Sequence, residues 1–175
     1  MGNTLNVTYS SVNLFSLIAS EITPAYIANN IFYPSSTPNV YTQGLLLLQL
    51  VNNTFINQKS RASIDCLLCV YMEVKGITFT DYTENADALF DIVTLPQIQV
   101  SLLFNDVRLV NNAFNVYDFR FFMTLTPADT IVFTYLTIVS NTFVSSRPLV
   151  KLPGATTLII DNVHCSGNSY SNEEV

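Results

Sequence analysis

Any catalysis in this 175-residue chain would start from one histidine, three cysteines and thirteen carboxylates. His164 is the sole imidazole, and a triad built on it needs a nucleophile on one side and an orienting acid on the other. Cys66-Leu67-Leu68-Cys69 has CxxC spacing, which serves redox chemistry when it opens a helix beside a βαβ unit, and zinc when a second ligand pair exists. Neither context is present. Cys66, Cys69 and Cys165 therefore read as buried or half-buried thiols, with one disulfide as the alternative and at least one thiol left over. The densest acidic stretch is Asp81, Glu84, Asp87 and Asp91. A calcium loop opening at Asp81 requires Gly where Ala86 stands and a bidentate Glu where Ile92 stands, so the stretch reads as a solvated loop. Two sequons, Asn6-Val7-Thr8 and Asn52-Asn53-Thr54, offer glycan acceptors at Asn6 and Asn52 and point mildly to a secreted protein.

The elements that position these residues are strands. Hydrophobic residues make up 49% and charged residues 11% of the chain, far from the composition that keeps a segment disordered. Twelve Phe and nine Tyr beside only five Gly favour pleated, half-buried positions. One domain over residues 1–175 is expected, and a chain of this size buries roughly 70% of its unfolded surface. The net charge of −6, with seven scattered Lys and Arg, supplies no stripe for phosphates, so nucleic acid is not an expected partner. Leu45–Val51 and Ile131–Val139 are about half the roughly 20 residues a membrane-spanning helix needs, so no transmembrane segment is expected. The opening Met1 to Asn6 has neither a basic n-region before an apolar core nor a myristoylation signal. Either a leader has been removed or the chain is an internal piece of a longer one.

Self-similarity is the strongest signal. Ile27-Ala28-Asn29-Asn30-Ile31-Phe32, Leu50-Val51-Asn52-Asn53-Thr54-Phe55, Leu109-Val110-Asn111-Asn112-Ala113-Phe114 and Ile138-Val139-Ser140-Asn141-Thr142-Phe143 share one pattern. Cys165-Ser166-Gly167-Asn168-Ser169-Tyr170 continues it, and Val74-Lys75-Gly76-Ile77-Thr78-Phe79 replaces the second Asn with Ile77. The aromatic positions 32, 55, 79, 114, 143 and 170 are separated by 23, 24, 35, 29 and 27 residues, the spacing of solenoid coils with loops of varied length. Leu48, Met72, Val107, Leu136 and Val163 also recur two residues before the shared apolar position, as alternate side chains facing one core should. Between these anchors, Phe90 to Leu95, Phe119 to Leu125 and Leu149 to Leu152 are strand-prone and end near Pro96, Pro127 and Pro153, where a ladder must stop.

Over residues 20 to 172 the chain resembles the right-handed parallel β-helix, or pectin-lyase-like, repeat proteins, whose coils often carry a similar Ile-x-Asn-(Asn/Ser)-x-Phe run. The resemblance implies an all-β solenoid of about five to six coils. It implies an inner ladder of stacked aromatics and an asparagine ladder of Asn30, Asn53, Asn112, Asn141 and Asn168 at a corner, broken once at Ile77. A leucine-rich-repeat-like solenoid is the structural alternative. Leu45-x-x-Leu48-x-Leu50-x-x-Asn53-x-Phe55 fits that consensus, whereas Thr42, Ser101, Thr130 and Thr157 stand where its apolar series would continue.

Enzymes of the pectin-lyase-like group work with acidic clusters on stacked strands, and glycoside hydrolysis needs two carboxylates at a set separation. Aligning the coils puts Asp106 in a column with Leu47, Tyr71, Tyr135 and Asn162, and Asp161 with Leu46, Val70, Asn105 and Thr134. No stacked acidic pair emerges. His164 falls at the outward position of Gln49, Glu73, Arg108 and Thr137. The expectation is thus a protein that is not an enzyme, without catalytic residue, cofactor or metal. Three functional readings follow. The first is a structural protein that self-associates through end coils in a surface or extracellular filament, because both ends look uncapped. The second is a carbohydrate-binding or carbohydrate-processing module using exposed tyrosines such as Tyr41, Tyr71 and Tyr135, and the third is a protein-recognition solenoid of the leucine-rich type.

Overall fold

The computed structural model describes residues 12–15, 24–34, 37–43, 47–57, 62–83, 88–94, 100–114, 120–124, 128–144, 150–151 and 155–171. Every regular element among them is a strand, and every strand pairing is parallel. Parallel sheets on more than one side of the coil favour the β-helix over the leucine-rich-type alternative. The fold is an all-β parallel solenoid.

Val12–Phe15, Val40–Gln43, Ala62–Cys69, Ala88–Thr94, Arg120–Thr124 and Val150–Lys151 stack in chain order as the first sheet. The last three of these are the proline-bounded runs of the sequence. A second sheet is built on Pro24–Ala28, Leu47–Val51, Tyr71–Thr80, Ser101–Val110, Ala128–Val139 and Ala155–Asp161, with Ile31–Phe32, Thr54–Ile56 and His164–Ser166 continuing its outer rungs. Ala113–Phe114, Thr142–Val144 and Ser169–Ser171 form a third, short sheet. Closed turns number about four, fewer than the five to six expected.

The coils turn at left-handed residues, in most of them at two places. Asn29, Asn52, Gly76, Asp106, Tyr135 and Asn162 adopt left-handed backbone, with φ between 51° and 64°. Asn57, Asp81, Asn111, Ser140 and Gly167 do so as well, with φ between 45° and 62°, five residues further on in every coil but that of Asn29 (52 and 57, 76 and 81, 106 and 111, 135 and 140, 162 and 167). Asn, Asp and Gly supply most of these positions because a short polar side chain, or none, lessens the steric cost of that region. Tyr135 is the exception. Its 56% exposure keeps its ring away from the crowded interior.

The register overturns the six-copy alignment. Val74 pairs with Phe104, Ile77 with Val107 and Phe79 with Leu109, not with the motif ending at Phe114. The first three motif copies follow the first bend and the last three follow the second. The 35-residue interval from Phe79 to Phe114 is a coil of 30 residues, Gly76 to Asp106, plus the five-residue step between bends. Both bends require a left-handed residue, then an inward-facing side chain, then a strand, so one short pattern serves either.

Two of the interior aromatic stacks meet at this step. Phe32, Phe55 and Phe79 stack at 4.8 and 5.1 Å, while Phe114, Phe143 and Tyr170 stack at 5.4 and 5.1 Å. Tyr82 joins them, tilted against Phe114 at 5.6 Å and edge-on to Phe79 at 6.2 Å. Its hydroxyl hydrogen-bonds Ser63 Oγ at 2.7 Å, which satisfies the polar tip of a fully buried side chain.

Gly76 tests the first bend. At φ +64° a Cβ would lie 2.5 Å from Asn52 Oδ1, so a side chain there must displace Asn52 from its contact with Asn29. Gly76→Val adds β-branching in left-handed backbone and is expected to cost about 2–3 kcal/mol, with Gly76→Asn costing about 1 kcal/mol, measured by urea unfolding.

Candidate functional site

The asparagines form two hydrogen-bonded ladders at the two bends, not one interrupted at Ile77. At the first bend, Asn30 donates from its backbone N–H and from Nδ2 to Asn53 Oδ1, both at 3.0 Å, and Asn53 Nδ2 donates to the Ile27 carbonyl at 2.9 Å. At the second, Asn112 donates to Asn141 Oδ1 from backbone N–H and Nδ2 at 3.0 and 2.8 Å. Asn141 repeats both bonds to Asn168 Oδ1 at 3.0 Å, and Asn168 Nδ2 donates to the Ile138 carbonyl at 2.7 Å. Tyr82 starts this second ladder, its backbone N–H donating to Asn112 Oδ1 at 3.1 Å. Asn53, Asn112, Asn141 and Asn168 thus each answer a carbonyl of the preceding coil, which a buried turn would otherwise leave without a partner.

The corrected register changes the columns of the candidate acids. Asp106 lies between the bend residues Gly76 and Tyr135, with Asn52 beyond, so Leu47 and Tyr71 are not its neighbours. Its carboxylate takes a two-point bond from Arg108, at 2.8 and 2.9 Å, and this contact holds the guanidinium above its ordinary pKa. Asp161 follows Thr134, Asn105 and Lys75, with Val51 beyond, in place of Leu46 and Val70. His164 stands beside Thr137 and Arg108, exposed, with Ser166 Oγ at 3.3 Å from Nε2. Gln49 and Glu73 belong elsewhere and hydrogen-bond each other at 2.8 Å. Glu73, together with burial, raises the Tyr71 phenol above its ordinary pKa, burial being the larger cause.

A stacked acidic pair that the sequence alignment missed lies on the first sheet, where Asp65 registers with Asp91. Asp91 is only 3% exposed, so the pair lacks the open cleft that a sugar substrate would need. Ile64-Asp65-Cys66 and Phe90-Asp91-Ile92 did carry the signal, an acid at the same point of two alternating runs, but the repeat anchors lay on the other side of the coil. Asp91 is therefore a buried strand residue, not part of a solvated loop. Asp81 occupies a bend, and Glu84 and Asp87 lie outside the described residues. No cluster of three or more His, Cys, Asp or Glu suited to a metal occurs among the described residues.

Cys66 and Cys69 are joined by a disulfide, Cα–Cα 6.0 Å, which overturns the reading of plain thiols. A register irregularity between Leu67 and Cys69 turns two residues three apart toward the same side, and both are fully buried. The Thr42 hydroxyl donates to Cys66 Sγ at 2.8 Å. Cys165 is free and exposed. Of the sequons, Asn6 lies outside the described residues, and Asn52 is exposed on the first bend. Tyr41 stands in the first sheet, Tyr71 at the start of a second-sheet strand and Tyr135 at a bend, so they share no common platform.

The feature that remains is the last coil. Leu158, Ile160, Val163 and Tyr170 register with the core positions Ile131, Phe133, Leu136 and Phe143, yet are 47%, 51%, 47% and 63% exposed. At the other end Ile27 and Phe32 are only 9% and 3% exposed. No helix among the described residues is long and apolar enough to cross a membrane. No family model, curated protein or solved structure matches this chain.

Proposed function

We propose that this chain is a non-catalytic structural protein, a β-solenoid that associates end to end in a surface or extracellular assembly, with its C-terminal coil as the joining face. The observation that carries this reading is the row of half-exposed apolar side chains at Leu158, Ile160, Val163 and Tyr170, which occupy core positions of the repeat. Exposed apolar patches of a few hundred Å² mark interaction sites, and an open sheet edge is a template for further strands.

The Cys66–Cys69 disulfide and the exposed Asn52 sequon support placement outside the reducing cytosol. The Ile-x-Asn-Asn-x-Phe runs favour the right-handed, pectin-lyase-like type of coil. Sedimentation equilibrium of the purified chain from micromolar to millimolar concentration, with electron microscopy of the same samples, tests the reading. Association that a charge at Leu158 abolishes is the expected result, and a monomer at every concentration would sink the idea.

A further inference from the structure

We infer that Asn52 carries an N-linked glycan on the outside of the first bend, while Asn53 beside it is committed to the ladder. This rests on the placement outside the reducing cytosol given above, for which the Cys66–Cys69 disulfide is the independent support, and not on end-to-end association. The two residues divide one dipeptide between outside and inside. Asn53 is wholly buried, its Oδ1 accepting from Asn30 and its Nδ2 donating to the Ile27 carbonyl. Asn52 is exposed, its backbone N–H is answered by the Lys75 carbonyl at 2.8 Å, and its side chain donates from Nδ2 to Asn29 Oδ1 at 3.3 Å. No buried group therefore depends on the Asn52 amide. Of the two hydrogens on Nδ2, one is replaceable while the other keeps the contact with Asn29.

Sequence and bend geometry single out the same position. Among the described residues Asn29, Asn52, Asn57, Asn111 and Asn162 are the left-handed asparagines. Asn52 alone is followed two residues on by a hydroxyl, that of Thr54, whereas the others are followed by Ile31, Lys59, Ala113 and His164. The bend residue of the next coil is Gly76, and the Asn52 side chain lies over it, since a Cβ there would meet Asn52 Oδ1 at 2.5 Å. The bend residue of the preceding coil is the short Asn29. Flanking side chains are thus absent or small, which suits a bulky, solvated modification.

Transfer forms a bond from Asn52 Nδ2 to the anomeric carbon of an oligosaccharide held on a lipid diphosphate. The bond from that carbon to the diphosphate oxygen breaks, the lipid diphosphate leaves with the electron pair, and the amide gives up one proton.

Intact mass before and after peptide N-glycosidase treatment is measured on the chain from its natural source and on the 175-residue chain expressed behind a secretion signal, with Asn6→Gln removing the other sequon from the recombinant chain. The expected result is a glycan on Asn52 of both, mapped by the Asp that enzymatic release leaves behind. It should be lost completely in recombinant Asn52→Asp and in Thr54→Ala. Asn52→Asp should unfold at the same urea concentration as the enzymatically released chain, whereas Asn53→Ala, which breaks the ladder, should unfold at a lower one. An unmodified Asn52 in the secreted recombinant chain would overturn the inference and leave the extracellular placement standing. A glycan on the recombinant chain with none at Asn52 of the natural one would overturn both.

Discussion

Asn141→Ala is expected to destabilise the solenoid by about 3–5 kcal/mol in urea unfolding, more than any other single asparagine replacement. Asn141 is 1% exposed. Its Nδ2 donates to the Leu109 carbonyl at 2.9 Å, the Val139 carbonyl at 3.0 Å and Asn168 Oδ1, while its Oδ1 accepts from both nitrogens of Asn112. Alanine removes every one of these together. Buried groups left behind lose their partners at about 1–3 kcal/mol each, and the effects overlap because they belong to one network. Asn30, at the margin of the other ladder and only half-buried, should cost about 1 kcal/mol when changed to Ala. Because coils contact only their neighbours, amide hydrogen exchange should rise mainly from residue 100 onward in Asn141→Ala. Uniform acceleration along the chain would contradict the ladder as a local support.

Phe114→Ala should cost about 3–5 kcal/mol by the same measurement. The ring is fully buried between Phe143 at 5.4 Å and Tyr82 at 5.6 Å, at the point where the two aromatic stacks meet. A cavity there cannot be filled from either side without moving Tyr82 off its hydrogen bond to Ser63. Tyr170→Ala is the control. That ring continues the same stack at 5.1 Å, but at 63% exposure it leaves no closed cavity and should cost less than about 1 kcal/mol in the monomer. Equal losses at Phe114 and Tyr170 would mean that the end coil is covered in solution before any copy associates.

How much of this was legible depends on the range of the interaction involved. Alternating apolar runs, proline stops and an Asn-x-aromatic pattern at coil spacing are local, and they point to an all-β solenoid. The acids of the first sheet show where local reading stops. Asp65 and Asp91 lie 26 residues apart in register, and nothing in either run says that one will be buried. The Cys66–Cys69 disulfide depends likewise on a register irregularity that two intervening leucines do not announce.

The sequence by itself determined the class of fold and most strand-forming segments, because side-chain alternation acts within a few residues; the left-handed backbone expected at the ladder asparagines lies instead on the residue before each, at Asn29, Asn52, Asn111, Ser140 and Gly167. Only the tertiary structure decided which bend each motif occupies, since a five-residue slip is absorbed by a loop and leaves the motif unchanged. It also decided how deeply each repeat position is buried. Burial depends on what is stacked above and below a residue, so Leu158 and Leu48, alike in sequence pattern, are 47% and 0% exposed.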